Sequence, residues 1–274
     1  MTGSGVQPPF VSISGLTNFR DIGGWPIEDG EGKVVSTVRK CVFYRGPDTA
    51  TVTDEGLVKL KGLGISTGFD LRSKGQIEKA GGFKDLQGIH RVWGIVEAFT
   101  EILTHGAAAC RTMLLHVAAM SSQAPTACYI HCTTGNNRSG VFVSIILSLL
   151  GVKAELVAEE YKLSGIGLRP SRDAVVERLM KNPVFSKSGG GGQERAERMV
   201  GARPESMLAM LEMVERKWGG ADKYVKTQCG LTDEEIAKVR NVLTRPNVVA
   251  AKKRNSRAWE TLKEILHRLR NAFG

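Results

Sequence analysis

The chain has 274 residues, 42% of them hydrophobic and 24% charged, with a net charge of +10 at pH 7. That composition suits one large soluble domain or two small ones. No apolar run nears the ~20 residues of a membrane span, and residues 1–10 lack the charged and apolar regions of a secretory signal.

The charge is unevenly spread. Residues 246–274 hold seven Lys or Arg against two Glu, half of the net excess. The remaining body is mildly basic, which favours an anionic substrate. Without a zinc finger or an aromatic-basic platform, nucleic acid is not an expected partner. Five cysteines without CxxC or metal spacing read as reduced thiols in a cytoplasmic protein, with no metal or cofactor expected.

In chain order, residues 1–9 are loose, and Val11 to Leu16 lead into a turn at Asn18–Gly24. Arg20 and Asp21 there either buttress a site or pair within a structural turn. Trp25 to Lys40 reads as a loop or hairpin around Asp29-Gly30. Cys41 to Tyr44 is a short strand, and Arg45 at its end faces a site or makes a surface ion pair. Thr53 opens a helix to about Leu63, with Asp54 and Glu55 in its first turn. Ile65 to Leu71 is a strand that brings Asp70 to its carboxyl end, where ligands gather in doubly wound sheets. Ser73–Gly82 is a helix or loop, Arg91–Glu97 a strand, and Phe99–Ala119 a helix made irregular by Gly106.

The informative stretch runs from Tyr129 to Gly140. The apolar run Ala127–Ile130 reads as a buried strand. A loop of small residues follows, then the apolar run Val141–Leu150, closed by Gly151. Strand, small loop and buried helix form an anion cradle, with backbone N–H groups and a helix start facing the ligand. Cys132 and Arg138 bracket the loop with five residues between them, so a thiol sits at the base while a guanidinium forks phosphate oxygens. The helix start, the loop amides and Arg138 favour the thiolate. His131 steadies the loop, the amides from Thr133 to Arg138 meet phosphate oxygens, and the Ser139 hydroxyl assists sulfur as it leaves. Cys128 is a redox partner or, more simply, strand packing.

Beyond the loop, helices are expected at Ala154–Leu163, Arg172–Met180, Pro204–Trp218 and Thr232–Leu243, the last with a Thr232/Glu235 capping box. Four glycines at 189–192 mark residues 186–203 as a flexible insertion. Alternating strands and helices give an α/β fold with a mainly parallel central sheet flanked by helices, and extra helices at the carboxyl end. Residues 1–245 form the domain. In 246–274, Trp259, Leu262, Leu266, Leu269 and Phe273 make one face of a basic amphipathic helix. It packs on its own domain, takes a partner, or lies on a membrane surface.

The loop resembles that of cysteine-dependent protein-tyrosine phosphatases. More narrowly, the chain resembles the atypical bacterial and fungal tyrosine/lipid phosphatases over about residues 10–245. Its matching segments are Asn18-Phe19-Arg20-Asp21-Ile22-Gly23-Gly24, Tyr44-Arg45-Gly46, Asp70-Leu71-Arg72-Ser73 and Glu160-Tyr161-Lys162-Leu163-Ser164. The resemblance implies a phosphatase fold and metal-independent phosphomonoester hydrolysis through a phosphocysteine. It places the general acid on Asp70, with Asp48 in reserve. The implied substrate is phosphotyrosine in proteins, with dual specificity allowed. A phosphorylated lipid or metabolite is the alternative, and a weakly active phosphate-binding module a further one. Where the family commonly has Lys-Asp before the arginine, this chain has Asn136-Asn137, which offer substrate hydrogen bonds without charge and weaken the phosphoinositide reading.

Overall fold

Ala127–His131 is apolar or aromatic up to its last residue and buried throughout, which suits a strand flanked on both sides and covered on both faces. In the computed structural model, which describes residues 9–93, 102–181, 185 and 191–246, that strand is the centre of a five-stranded sheet. In chain order the first eight strands and helices are β1 (Arg20–Asp21), β2 (Pro26–Glu28), β3 (Val34–Val38), β4 (Phe43–Gly46), α1 (Asp54–Gly62), β5 (Ile65–Asp70), α2 (Lys74–Lys79) and β6 (His90–Trp93). Then come α3 (Ile102–His105), α4 (Ala107–Ala118), β7 (Ala127–His131), α5 (Asn137–Leu149), α6 (Ala154–Gly167) and α7 (Arg172–Met180). The chain continues with α8 (Gly192–Val200), α9 (Pro204–Trp218), α10 (Ala221–Thr227), α11 (Asp233–Leu243) and β8 (Thr244–Pro246).

The sheet order is β1-β4-β7-β5-β6, parallel except for the short edge strand β1. Register sets the site. His131 pairs with Gly46 on β4 and with Asp70 on β5, so three strand ends stop level with one another. A separate antiparallel sheet, β2-β3-β8, joins the hairpin to the end of the described chain, Thr37 opposite Arg245 and Ser36 opposite Pro246. The Asp29 carboxylate supports the hairpin turn by accepting from the N–H groups of Glu31 and Lys33.

Helix α5 is apolar on all sides, and Ser139 to Leu147 are buried without a gap. Such a helix belongs in the middle of a fold. It is covered by α3, α6 and α10, while α9 packs on α6 and α11 on α4. This helical layer and the sheet enclose the main core; a second cluster around Phe19, Tyr44, Leu60 and Tyr129 fills the other face under α1.

Two expectations change. The helix over 99–119 is two helices, α3 and α4, because Gly106 stands against α5. A Cβ there would lie 2.7 Å from the Phe142 ring and 2.2 Å from the Ile102 carbonyl oxygen. Within the stretch expected to be flexible, residues 192–200 form α8, which buries Ala196 and Val200. The strand expected over 91–97 is present from His90 to Trp93, and the rest of that span lies outside the described residues. The amphipathic segment Trp259–Phe273 lies outside the described residues. The Thr232/Glu235 capping box is present in both directions, at 3.2 and 2.8 Å. No helix among the described residues is long and apolar enough to cross a membrane.

Candidate active site

β7 ends at His131, and the chain then folds back over the start of α5, leaving Cys132 under the loop. The Cys132 side chain is 2% exposed, with Sγ 3.6 Å from the Ser139 hydroxyl. Burial alone would push its thiol up. Arg138, the N–H groups of Ser139 and Thr134 and the Ser139 hydroxyl outweigh burial and hold it below the ordinary thiol value. The Arg138 guanidinium is pinned from three sides: Nη1 donates to the Leu71 carbonyl (2.7 Å) and Gln76 Oε1 (2.6 Å), and Nη2 to Thr133 Oγ1 (3.1 Å).

Gly135 makes the turn possible. Its φ is +69°, and a Cβ would sit 2.2 Å from the backbone carbon of Gly46 at the end of β4. Loop and strand therefore touch backbone to backbone.

The thiol opens into a cleft of about 580 Å³. Cys132, Thr133, Thr134, Asn137 and Arg138, all named from the sequence, are among the residues that line it. Val175, Leu179, Met199 and Val200 supply an apolar wall; Lys79, Arg178 and Lys181 supply positive charge. Sequence reasoning missed these walls. They come from α2, α7 and α8, elements with no local mark of chemistry.

The expected acid is not among the residues lining the cleft. Asp70 is 0% exposed and is chelated by Arg72, with Nε 3.0 and 3.2 Å from its two oxygens and Nη2 at 2.7 Å. Burial works to raise its pKa, but the Arg72 bonds prevail and keep it below the usual carboxylate value, so it holds no proton near neutrality. Asp48, the reserve, does line the cleft. Its side chain is 13% exposed, 3.7 Å from Arg72, and burial lifts its pKa above the usual value. Its N–H donates to the Thr133 carbonyl, which ties it to the loop.

His131 is buried and stacks on Tyr129, with ring centroids 5.1 Å apart. Burial pushes its pKa to about 4, so the ring is neutral. Nδ1 stands 3.7 Å from Asp70 Oδ1 and has no hydrogen-bond partner among the described residues. His131 is not among the residues that line the cleft.

Asn136 is 1% exposed and turned away from the cleft. Its Nδ2 donates to the Met199 (3.3 Å) and Val200 (3.4 Å) carbonyls. Asn137 Nδ2 also donates to the Met199 carbonyl (3.3 Å), and its Oδ1 accepts from the Tyr161 hydroxyl (2.9 Å). These are terminal carbonyls of α8, which lack partners within their own helix. The two asparagines thus moor α8 to the loop. Asn136→Lys should not shift preference toward polyphosphorylated lipids. It would confine an ammonium beside Arg45, which already donates to the Asn136 carbonyl. A loss of about 2–3 kcal/mol is expected, seen as a lower Tm with an unchanged substrate ratio.

Arg20, Arg45 and Glu160 form a buried network behind the loop. Asp21 instead ties its turn to the segment before β4, accepting from the N–H groups of Gly23 and Cys41 at 2.8 Å. Cys128 is buried in β7, which raises its pKa to about 12, as strand packing requires. Among the described residues no group of three or more His, Cys, Asp or Glu is placed to hold a metal ion.

A family model described as the tyrosine phosphatase family matches residues 11–245. A tyrosine-protein phosphatase of Nostoc commune is 24% identical over 219 residues, 72% of each chain.

Proposed function

The chain belongs to the tyrosine phosphatase family, and from that premise we propose that it hydrolyses phosphotyrosine in proteins through a phosphocysteine at Cys132. One observation carries the reading: a buried thiol with a lowered pKa stands at the base of the cleft under Arg138. Its thiolate attacks phosphorus, and the Arg138 fork and loop amides take up the charge on the equatorial oxygens. Asp48 gives its proton to the departing tyrosine oxygen. Water then attacks the phosphocysteine and passes a proton to the Asp48 carboxylate. The sulfur leaves as thiolate, hydrogen-bonded to Ser139, and phosphate is released. No step needs a metal ion. A reducing cytoplasm would keep the thiol active.

The apolar wall of Val175, Leu179, Met199 and Val200 suits a phenyl ring better than a small alkyl phosphate. The charge of Lys79 and Arg178 at the rim suits acidic residues beside the phosphotyrosine. The domain is taken to run to Pro246, since β8 pairs with β3, and Trp259–Phe273 to serve a partner or a membrane surface.

The test is phosphate release from a panel in excess chelator: an acidic phosphotyrosine peptide, a phosphoserine peptide, an inositol lipid and a sugar phosphate. The acidic phosphotyrosine peptide should lead, and its KM should rise with salt as rim charges are screened. Preference for the lipid or the sugar phosphate would replace the protein reading, and loss of activity in chelator would end the metal-free mechanism.

A further inference from the structure

Three successive peptide carbonyls of the loop, those of Thr134, Gly135 and Asn136, turn away from the cleft toward buried donors. Arg45, 0% exposed at the end of β4, donates from Nη2 to the carbonyls of Gly135 and Asn136, both at 2.8 Å. Asn18 donates from Nδ2 to the Thr134 carbonyl at 3.1 Å. A trans peptide is planar, with its N–H opposite its C=O. Drawing these three oxygens back therefore points the N–H groups of Gly135, Asn136 and Asn137 the other way, toward the bound phosphoryl group.

Arg45 and Asn18 are themselves held. Glu160 of α6 accepts from Arg45 Nη1 (2.5 Å) and Arg20 Nε (2.8 Å). Arg20 Nη1 donates to Asn18 Oδ1 (2.6 Å), and Nη2 to Ser164 Oγ (2.9 Å). Gly140 is packed between the two sides of this network: a Cβ there would lie 2.8 Å from the Tyr161 ring and 3.1 Å from Arg45 Nη2. Two guanidinium groups face one carboxylate. One positive charge is left over, buried behind a loop that must hold a thiolate and a phosphate.

We propose that Arg45 and Asn18 are positioning residues for phosphoryl transfer: they hold the loop carbonyls of residues 134–136 backward and so aim its amides at the transferring group, with Glu160 and Arg20 as their fixed support. The phosphatase reading above is the frame for this role. A network that served only to hold the core together would leave loop chemistry untouched once the chain had folded.

The experiment compares full-length wild type with Arg45→Lys, Glu160→Gln and Asn18→Gly. Lysine keeps the charge of Arg45 but cannot bridge two carbonyls and a carboxylate. Glycine suits the +59° φ of Asn18 and removes only its side chain. Three readouts are taken: kcat and KM on an aryl phosphate, the pH midpoint of Cys132 alkylation by iodoacetamide, and the Tm rise given by inorganic phosphate. Arg45→Lys should lose roughly 10²-fold in kcat, as when an oxyanion donor is removed, with a much smaller change in KM. Its alkylation midpoint should rise by about one pH unit, and its phosphate-induced Tm rise should shrink. Asn18→Gly should lose about tenfold in kcat, the worth of one hydrogen bond. Folded variants with a lower Tm but wild-type alkylation midpoint and phosphate response would overturn the proposal. So would unfolding of both Arg45→Lys and Glu160→Gln while Asn18→Gly behaved as wild type. A wild-type chain without turnover would sink the phosphatase reading alone, since the alkylation comparison is made without turnover.

Discussion

Cys132→Ser should lower turnover by roughly 10⁴-fold or more while leaving fold and phosphate binding in place. The swap changes one atom in a side chain that is 2% exposed, so packing is kept. What it loses is ionisation. The loop lowers a thiol below its ordinary value, but an alcohol starts far too high for the same surroundings to ionise it near neutrality. His131 is neutral, but its Nδ1 faces Asp70. Arg138 stays bound to the Leu71 carbonyl, Gln76 and Thr133, so the cradle still takes an anion. Phosphate release and the phosphate-induced rise in Tm would be measured together. Retained turnover would end the phosphocysteine mechanism.

Asp48→Asn should cost about 10²–10⁴-fold on an unactivated phosphate ester and far less on a nitrophenyl phosphate, whose leaving group departs without a proton. The pH profile carries the sign. Asp48 must be protonated to act, and burial sets its pKa above the usual carboxylate value, so kcat/KM falls as pH rises through that value. In Asp48→Asn that alkaline fall should flatten, while the acidic limb, set by the Cys132 thiolate, stays. Asp70→Asn predicts a different pattern: equal losses on both substrates and a lower Tm. It removes one half of a buried ion pair with Arg72, at a cost of about 3–5 kcal/mol. Its pKa is depressed in the fold, so the stability it contributes is full above ~3.9 and is lost as pH falls through the folded value. A larger loss on the unactivated ester in Asp70→Asn than in Asp48→Asn would return the acid role to Asp70.

What the sequence made legible was local. Strand β7, the loop and α5 are contiguous, and their apolar runs, small residues and closing Gly151 specify one another within about two dozen positions. The Thr232/Glu235 cap is legible for the same reason. Asp70 and Asp48 could not be ranked that way, because both are carboxylates beyond apolar strands. The difference is a third residue, Arg72, whose side chain turns back to take both Asp70 oxygens. Asn136 reads as a substrate ligand only while α8 is absent from view; Asn137 both lines the cleft and holds α8. The glycine run before that helix hid it. Arg20 has an acidic neighbour at Asp21, yet its partner is Glu160, 140 residues away, and no local pattern points there.

That separation has a consequence for how the protein comes into being. The Arg20–Glu160 and Arg45–Glu160 contacts close over 140 and 115 residues, and contacts of such high sequence separation form slowly. During synthesis Arg20 and Arg45 emerge well before their carboxylate, and Cys132 emerges between them and Glu160. Until α6 docks, the two arginines lack their counter-charge and the hold on the loop carbonyls is incomplete. On the proposal that Arg45 and Asn18 aim the loop amides, Cys132 is then a less ionised thiol, less open to oxidation than in the finished fold. By the same proposal, the sulfur reaches its full reactivity only after the ribosome has delivered Glu160, the support behind Arg45.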